Sequence, residues 1–267
     1  MSAAPLDRFV DVDGAQIRFS VTGSGAHDLL LVHGAGAHHL WFMRMVDDLL
    51  ADHRVITLDI SGHGHSDHRS AYSVELWAKE LAAVLDAAAA GPAIVCGHSM
   101  GARIGIALTA TRPELVSRVV MLDGNIRAPE EFPRPGERPA PREHRVYATR
   151  AEAIARFRLM PPQRGPAPEL LVPLAEYSVV EVEGGWSWRH DWSSPTEPYD
   201  EYINACVQRL QAPVTFVYGT ESPIVNARKA EYFVSLASAP VQVIAIDGGE
   251  HHLMLDRPDE CAAAIRA

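Results

Sequence analysis

The sequence predicts an α/β fold: a mostly parallel twisted sheet with helices on both faces, carrying an inserted cap. Three observations point there. Short continuous apolar runs recur along the chain, longer stretches of helical periodicity separate them, and one long segment breaks the rhythm. Strand–helix alternation favours a parallel sheet, because each crossover helix covers a face and buries the strand on both sides.

In chain order, Phe9–Val12 and Gln16–Val21 read as two strands joined by Asp13-Gly14, a strong hairpin signal. Leu29–Val32 is a continuous apolar run ending in His33-Gly34, and Val55–Leu58, Ala93–Cys96, Val119–Leu122, Val214–Tyr218 and Val241–Ile246 repeat that pattern of a buried strand. Helical stretches are Val74–Ala89, Ala102–Ala110, Ala227–Leu236 and Asp259–Ala267. The interruption runs over residues 127–210, leaving 1–126 and 211–267 as the core. Within it, Pro129–Pro141 holds five prolines and is expected to be irregular; helical patches follow at Arg150–Leu159 and Pro168–Glu176, then an aromatic stretch, Gly184–Trp192. A long insertion in a compact chain is usually functional or disordered. Trp186, Trp188 and Trp192 argue against disorder, so the insertion reads as a cap over the carboxyl ends of the strands, where open α/β sheets bind ligands.

Bulk properties bound the function. With 267 residues, 47% of them hydrophobic, the chain can bury one sizeable core, although two small domains would also fit by length. A net charge of −10 disfavours nucleic acid and anionic membrane surfaces as partners. Met1–Asp13 carries acidic and polar residues where a signal peptide needs an apolar stretch, so the expected compartment is the cytoplasm. The three cysteines, Cys96, Cys206 and Cys261, are odd in number and widely spaced, which disfavours a disulfide framework or a thiolate zinc site.

The most informative segment is Ala93–Gly105, which reads strand, then Gly97-His98-Ser99-Met100-Gly101, then helix. A nucleophilic serine must stand on a sharp strand-to-helix turn, with glycines on either side to relieve collisions. The helix N-terminus behind it favours developing negative charge. The bare Gly-x-Ser-x-Gly pattern also arises by chance. Its place between a buried strand and a helix with small residues, Ala102 and Gly105, makes it specific.

Gly97–Ala102 resembles the nucleophile elbow of the α/β-hydrolase superfamily. Leu31-Val32-His33-Gly34-Ala35-Gly36 is similar to the loop after its third strand, Asp59–Ser66 to its D-x-x-G-x-G-x-S loop, and His251–Pro258 to its terminal histidine segment. The resemblance covers the chain except the cap and implies a capped serine hydrolase with Ser99 as nucleophile. It implies an oxyanion hole from the backbone N–H groups of Ala35 and Met100. It selects His251 from 13 histidines as general base; His252, the neighbour, sits one residue too close to Pro258.

The acid departs from the common pattern. The usual position, three residues after Gly219, holds Ser222, which has no charge to offer. Some relatives carry the acid after the preceding core strand, and here that position is Asp123, which keeps the order Ser, Asp, His. Asp123 is therefore the expected acid and Glu221 the alternative; an Asp before Gly124 also suits a plain turn.

Other constellations point to nothing further. His33, His38, His39, His63 and His65 lack a zinc-type pattern, and no phosphate-binding glycine loop follows a strand, so no metal or cofactor is expected. Arg103 and Arg127 read as structural or rim charges, and Trp186, Trp188 and Trp192 as pocket wall or cap core. The expected activity is hydrolysis of an ester or lactone of a small, largely apolar molecule through an acyl-enzyme. The alternatives are carbon–carbon bond hydrolysis of a diketone-type substrate, or a hydrolase-fold binding protein with little turnover.

Overall fold

The computed structural model describes residues 7–134, 137, 144–164, 166–193 and 199–267. Part of the proline-rich stretch 129–141 lies outside them; what is described there includes a short 3-10 turn at Pro129–Glu131.

Ten strands and nine helices are described, in this order: β1 (Arg8–Val12), β2 (Ala15–Thr22), β3 (His27–Val32), α1 (Met43–Leu49), β4 (His53–Leu58), α2 (Val74–Ala88), β5 (Ala93–His98), α3 (Met100–Thr111), β6 (Val116–Leu122), α4 (Arg150–Ala155), α5 (Pro168–Ser178), β7 (Val179–Val182), β8 (Gly185–Trp188), α6 (Asp200–Val207), β9 (Val214–Gly219), α7 (Ala227–Leu236), β10 (Val241–Ile246), α8 (Leu253–Asp256) and α9 (Pro258–Arg266). Eight strands form one sheet in the order β1-β2-β4-β3-β5-β6-β9-β10. The β1–β2 hairpin enters antiparallel to β4, and from β4 to β10 every pairing is parallel. This is the predicted α/β class.

Side chains of a strand alternate between faces, so a central strand feeds two cores. In β3, Leu30 and Val32 join the layer beneath α2 and α3, while Leu29 and Leu31 join the layer beneath α1 and α9. Burying an apolar residue of this size stabilises by about 1.5–3 kcal/mol relative to exposure, which is why the runs between turns are unbroken Leu, Val and Ile.

Several elements differ from the sequence expectation: the strands β7 and β8 and the helices α6 and α8 were not expected, and β10 and α1 show the reason most plainly. The run Val241–Ile246 reads as a buried strand, but β10 is the sheet edge, and Gln242, Val243 and Ala245 are exposed there. An apolar run sets strand formation but not its rank in the sheet. Helix α1 was not expected; it is seven residues long with no side-chain cap, and burial of Met45 and Leu49 holds it.

Candidate active site

The site forms where β5, β6 and β9 end side by side. In β5–β6, His98 pairs with Leu122; in β6–β9, Leu122 pairs with Val217. The next residue on each of the first two strands is Ser99 and Asp123. The ladder carries one step further, since Ser99 N–H donates to the Leu122 carbonyl at 2.9 Å and Asp123 N–H to the Val217 carbonyl at 2.8 Å. Adjacent strands are about 4.8 Å apart, so the two residues are neighbours on one rim.

Ser99 adopts φ 52°, ψ −112°, and Asp123 φ 49°. A positive φ strains an L-residue and persists only where the surroundings enforce it. The enforcement at Ser99 is steric. A Cβ on Gly97 would lie 2.4 Å from the Gly101 backbone, and one on Gly101 would lie 2.3 Å from the Val32 carbonyl. The strand, turn and helix are thus pressed together, and only glycine fits either side of the serine. Ser99 leads directly into α3, where Met100 N–H belongs to the unsatisfied first turn of the helix. The loop after β3 crosses close by, since a Cβ on Gly34 would lie 3.2 Å from the Cβ of Ser99. Ala35, the next residue, is exposed, and its N–H makes no hydrogen bond among the described residues.

His251 arrives from the loop after β10. Its Nδ1 lies 2.6 Å from Asp123 Oδ2, with His251 4% and Asp123 0% exposed. Gly219 N–H donates to Asp123 Oδ1 at 3.3 Å, and the Ser222 hydroxyl donates to Oδ2 at 2.6 Å. Ser222 Oγ in turn accepts from the N–H groups of Ile224 and Val225 at 3.1 and 3.2 Å. The buried carboxylate therefore has donors on both oxygens. Glu221 is not among them. Its side chain is 59% exposed and approaches Arg164 at 3.8 Å.

His98 supports the same loop from below. Its Nε2 donates to the His251 carbonyl at 3.0 Å, and the two rings stand 4.7 Å apart. Burial pushes His98 well below the usual histidine range, as it does His252, down to about 3, so both are neutral. One ring nitrogen of each of His98, His251 and His252 lies within 4.8 Å of the others, the set of three among the described residues able to converge on a metal ion. All three rings already have a partner, His251 on Asp123, His98 on the His251 carbonyl and His252 Nε2 on the Pro161 carbonyl at 3.3 Å.

The profile of the Alpha/beta hydrolase family matches residues 29–264. This chain belongs to that family. Among curated relatives, a 2-hydroxy-6-oxononadienedioate/2-hydroxy-6-oxononatrienedioate hydrolase of Burkholderia vietnamiensis is 36% identical over 49% of this chain and 49% of its own length. The Esterase Rv0045c of Mycobacterium tuberculosis is 26% identical over 98% of this chain and 89% of its own. The chain spans between about a third and a half of the first relatives it matches, 32% in an acetyltransferase component of an acetoin cleaving system from Cupriavidus necator. Among solved structures, a thioesterase domain from the curacin biosynthetic pathway superposes with a TM-score of 0.82 at 23% identity, covering 99% of this chain and 100% of that one, which is a likeness of fold.

In this family member the loop Asp59–Ser66 does structural work. Buried Asp59 accepts from His39 Nδ1 and N–H, both at 2.9 Å, from His65 N–H at 3.1 Å and from the Tyr177 hydroxyl at 2.8 Å. Tyr177 belongs to the insertion, and two more bonds fasten it here: Asp191 N–H donates to the Gly62 carbonyl of the same loop and the Tyr72 hydroxyl, just beyond the loop, donates to Asp191, each at 2.8 Å. The β7–β8 hairpin carries the aromatic stretch, with Trp186 bridged to Tyr147. Arg103 lies over the Tyr199 ring at 4.8 Å and ties the end of the insertion to the core, while Arg127 pairs with Asp200 at 2.9 Å and ties the two ends of the insertion to each other. There α6 packs Ile203, Cys206 and Val207 into the main hydrophobic layer beside α3. Between the insertion and the Ala35–Gly36 loop lies a cavity of about 450 Å³, walled by Trp41, Phe157, Trp188 and Trp192. Trp186 is not part of its wall.

By sequence, position 222 offers no charge. Among the described contacts it is filled, by a hydroxyl that holds the carboxylate brought from the neighbouring strand. The signal was present in the pairing of Asp123-Gly124 with a serine at the usual acid position. No local pattern, by contrast, marks His98 as a support for His251. No described helix is long and apolar enough to cross a membrane.

Proposed function

We propose that this chain is a serine hydrolase that cleaves esters or lactones through an acyl-enzyme on Ser99, with His251 as general base and Asp123 as its acid. The observation that carries this is the 2.6 Å contact of His251 Nδ1 with a fully buried Asp123, on the strand end next to that of Ser99. A carboxylate on Nδ1 fixes the tautomer that leaves Nε2 free to accept a proton, and it stabilises the imidazolium that results. The serine proton goes to Nε2 as Oγ adds to the carbonyl. The resulting oxyanion is received by the N–H groups of Met100 and Ala35; the proton then passes to the leaving group, and water repeats the sequence to release the acid.

The insertion over residues 127–210 acts as a cap. Its tryptophans, Trp188 and Trp192, and the cavity they wall favour a small, largely apolar substrate. Similarity to the Burkholderia vietnamiensis hydrolase favours carbon–carbon bond hydrolysis as a second reading, which shares the same triad. A binding protein with little turnover has less in its favour, because selection for binding alone does not call for the Ser222–Asp123–His251 chain of hydrogen bonds.

The test is hydrolysis of 4-nitrophenyl acetate by wild type and Ser99→Ala, with organophosphate labelling. The proposal expects loss of at least about 10³-fold in kcat in the variant and one label per chain on Ser99. Equal rates would discard it.

A further inference from the structure

We propose that the cavity beside Ala35 takes substrates that carry a carboxylate, held by Arg156 and Arg158; this rests on the hydrolase reading above and names its substrate class. Both arginines line the cavity that reaches Ala35 and Gly36, on the wall formed by the end of α4 and the residues after it. No Asp or Glu is among its lining residues. The lining therefore carries no negative charge to oppose an anion, although the chain has 34 acidic and 24 basic residues. Some arginines of this protein pair with carboxylates, as Arg18 does with Asp7, Arg54 with Asp28 and Arg127 with Asp200, and others, such as Arg44 and Arg189, bond to backbone carbonyls. Among the described residues, neither Arg156 nor Arg158 has such a partner.

The two are not equivalent. Arg158 Nη1 is held by the carbonyls of Ala155 and Phe157 at 3.0 and 2.6 Å, which orients its guanidinium and leaves the remaining N–H groups for a ligand. Arg156 caps α4 with its backbone, donating N–H to the Ala153 carbonyl at 3.0 Å, and its side chain makes no bond of its own among the described residues. His190, which lines the cavity beside Gly36, adds no charge, because burial pushes it down to about 2. The two guanidinium forks supply the fixed positive charge of the cavity, whose lining they share with Trp41, Phe157, Trp188 and Trp192. Such forks match the planar, bidentate geometry of a carboxylate. A substrate with an apolar body, an acyl carbon at Ala35 and a carboxylate at the arginines matches all three kinds of lining residue.

The test uses two matched pairs: mono-4-nitrophenyl glutarate against 4-nitrophenyl hexanoate, which puts the anion on the acyl side, and 4-acetoxybenzoate against its methyl ester, which puts it on the leaving side. At low ionic strength one anionic member should have a KM lower than its neutral partner by about tenfold, a modest value because both arginines are solvent-exposed. The double variant Arg156→Gln, Arg158→Gln should erase that preference, as should about 1 M salt. Binding of glutarate to Ser99→Ala, followed by calorimetry, reads the anion site without turnover and should weaken in the same double substitution. Preference for neutral esters, or a double variant that shifts both members equally, would overturn the proposal. So would inorganic phosphate displacing glutarate more effectively than a second dicarboxylate does. Full activity in Ser99→Ala would instead strike the hydrolase reading and leave the glutarate measurement standing.

Discussion

The loops after β6 and β9 occupy equivalent places on one rim, yet they do opposite jobs. The β6 loop carries a charge, and that charge is fully buried in a positive-φ residue, Asp123. The β9 loop carries Glu221, which faces solvent, and Ser222, whose hydroxyl turns inward to the Asp123 carboxylate at 2.6 Å. The contrast teaches that the position of an acid along the chain matters less than where its oxygens end up. His251 needs one buried acceptor, and two adjacent strand ends can supply it jointly, one with the carboxylate and one with the donor that holds it. A buried carboxylate left without donors would cost several kcal/mol, so moving the acid to β6 leaves the β9 loop with a polar duty.

The largest way to break this comparison is Asp123→Asn. We expect kcat to fall about 10⁴-fold with the fold retained, because an amide can hold His251 only in the wrong tautomer; steady-state kinetics and circular dichroism together check it. Ser222→Ala should have a smaller effect. It removes the donor to Asp123 and the acceptor of Ile224 and Val225 N–H, and we expect kcat to drop about 10- to 100-fold, as for loss of a group that orients a catalytic one. A shift in the acidic limb of the pH–rate profile distinguishes positioning from a loss of folded protein. Glu221→Gln should change kcat by less than about twofold, because an exposed side chain paired with exposed Arg164 contributes little. A large loss in Glu221→Gln beside a small one in Asp123→Asn would reverse the roles assigned to the two loops.

The seam between insertion and core sharpens the comparison from another side. Burial pushes His38 and His63 down to about 3 and His190 to about 2, so they are neutral in the folded protein. Unfolded, each titrates near the ordinary 6.5. Below that pH the unfolded chain binds more protons than the folded one, so stability falls as the pH drops from about 6.5 toward 3. Thermal melts should give a lower Tm at about pH 5 than at about pH 7, and His190→Gln should flatten that dependence. An unchanged Tm across this range would mean that these rings are not desolvated at the seam.

The elements of the sheet were legible in the chain because each is a local event. Apolar runs such as Leu29–Val32 have to be buried, and Gly97 and Gly101 bracket a serine that only a tight turn needs. What was not legible depended on neighbours far apart in sequence. The exposure of β10 follows from its being last in the sheet, and α1 forms because Met45 and Leu49 find the core beneath β3. The insertion read as one block, yet its last helix, α6, packs into the core through Ile203 and Val207, since an amphipathic pattern says that a face is buried and not against what.

By itself, then, the sequence determined the α/β class, the strand–turn–helix around Ser99 and a short list of candidate partners for it. Only the tertiary structure shows which carboxylate meets His251. Asp123 and Glu221 are both carboxylates near a strand end, and they are separated by where parallel pairing and the β10 loop bring His251: against one, buried and held by Ser222, and away from the other. Hydrogen-bond reach is a few ångströms, while His251 and Ser222 are 128 and 99 positions along the chain from Asp123, and that distance is closed by packing of the whole sheet rather than by any local pattern.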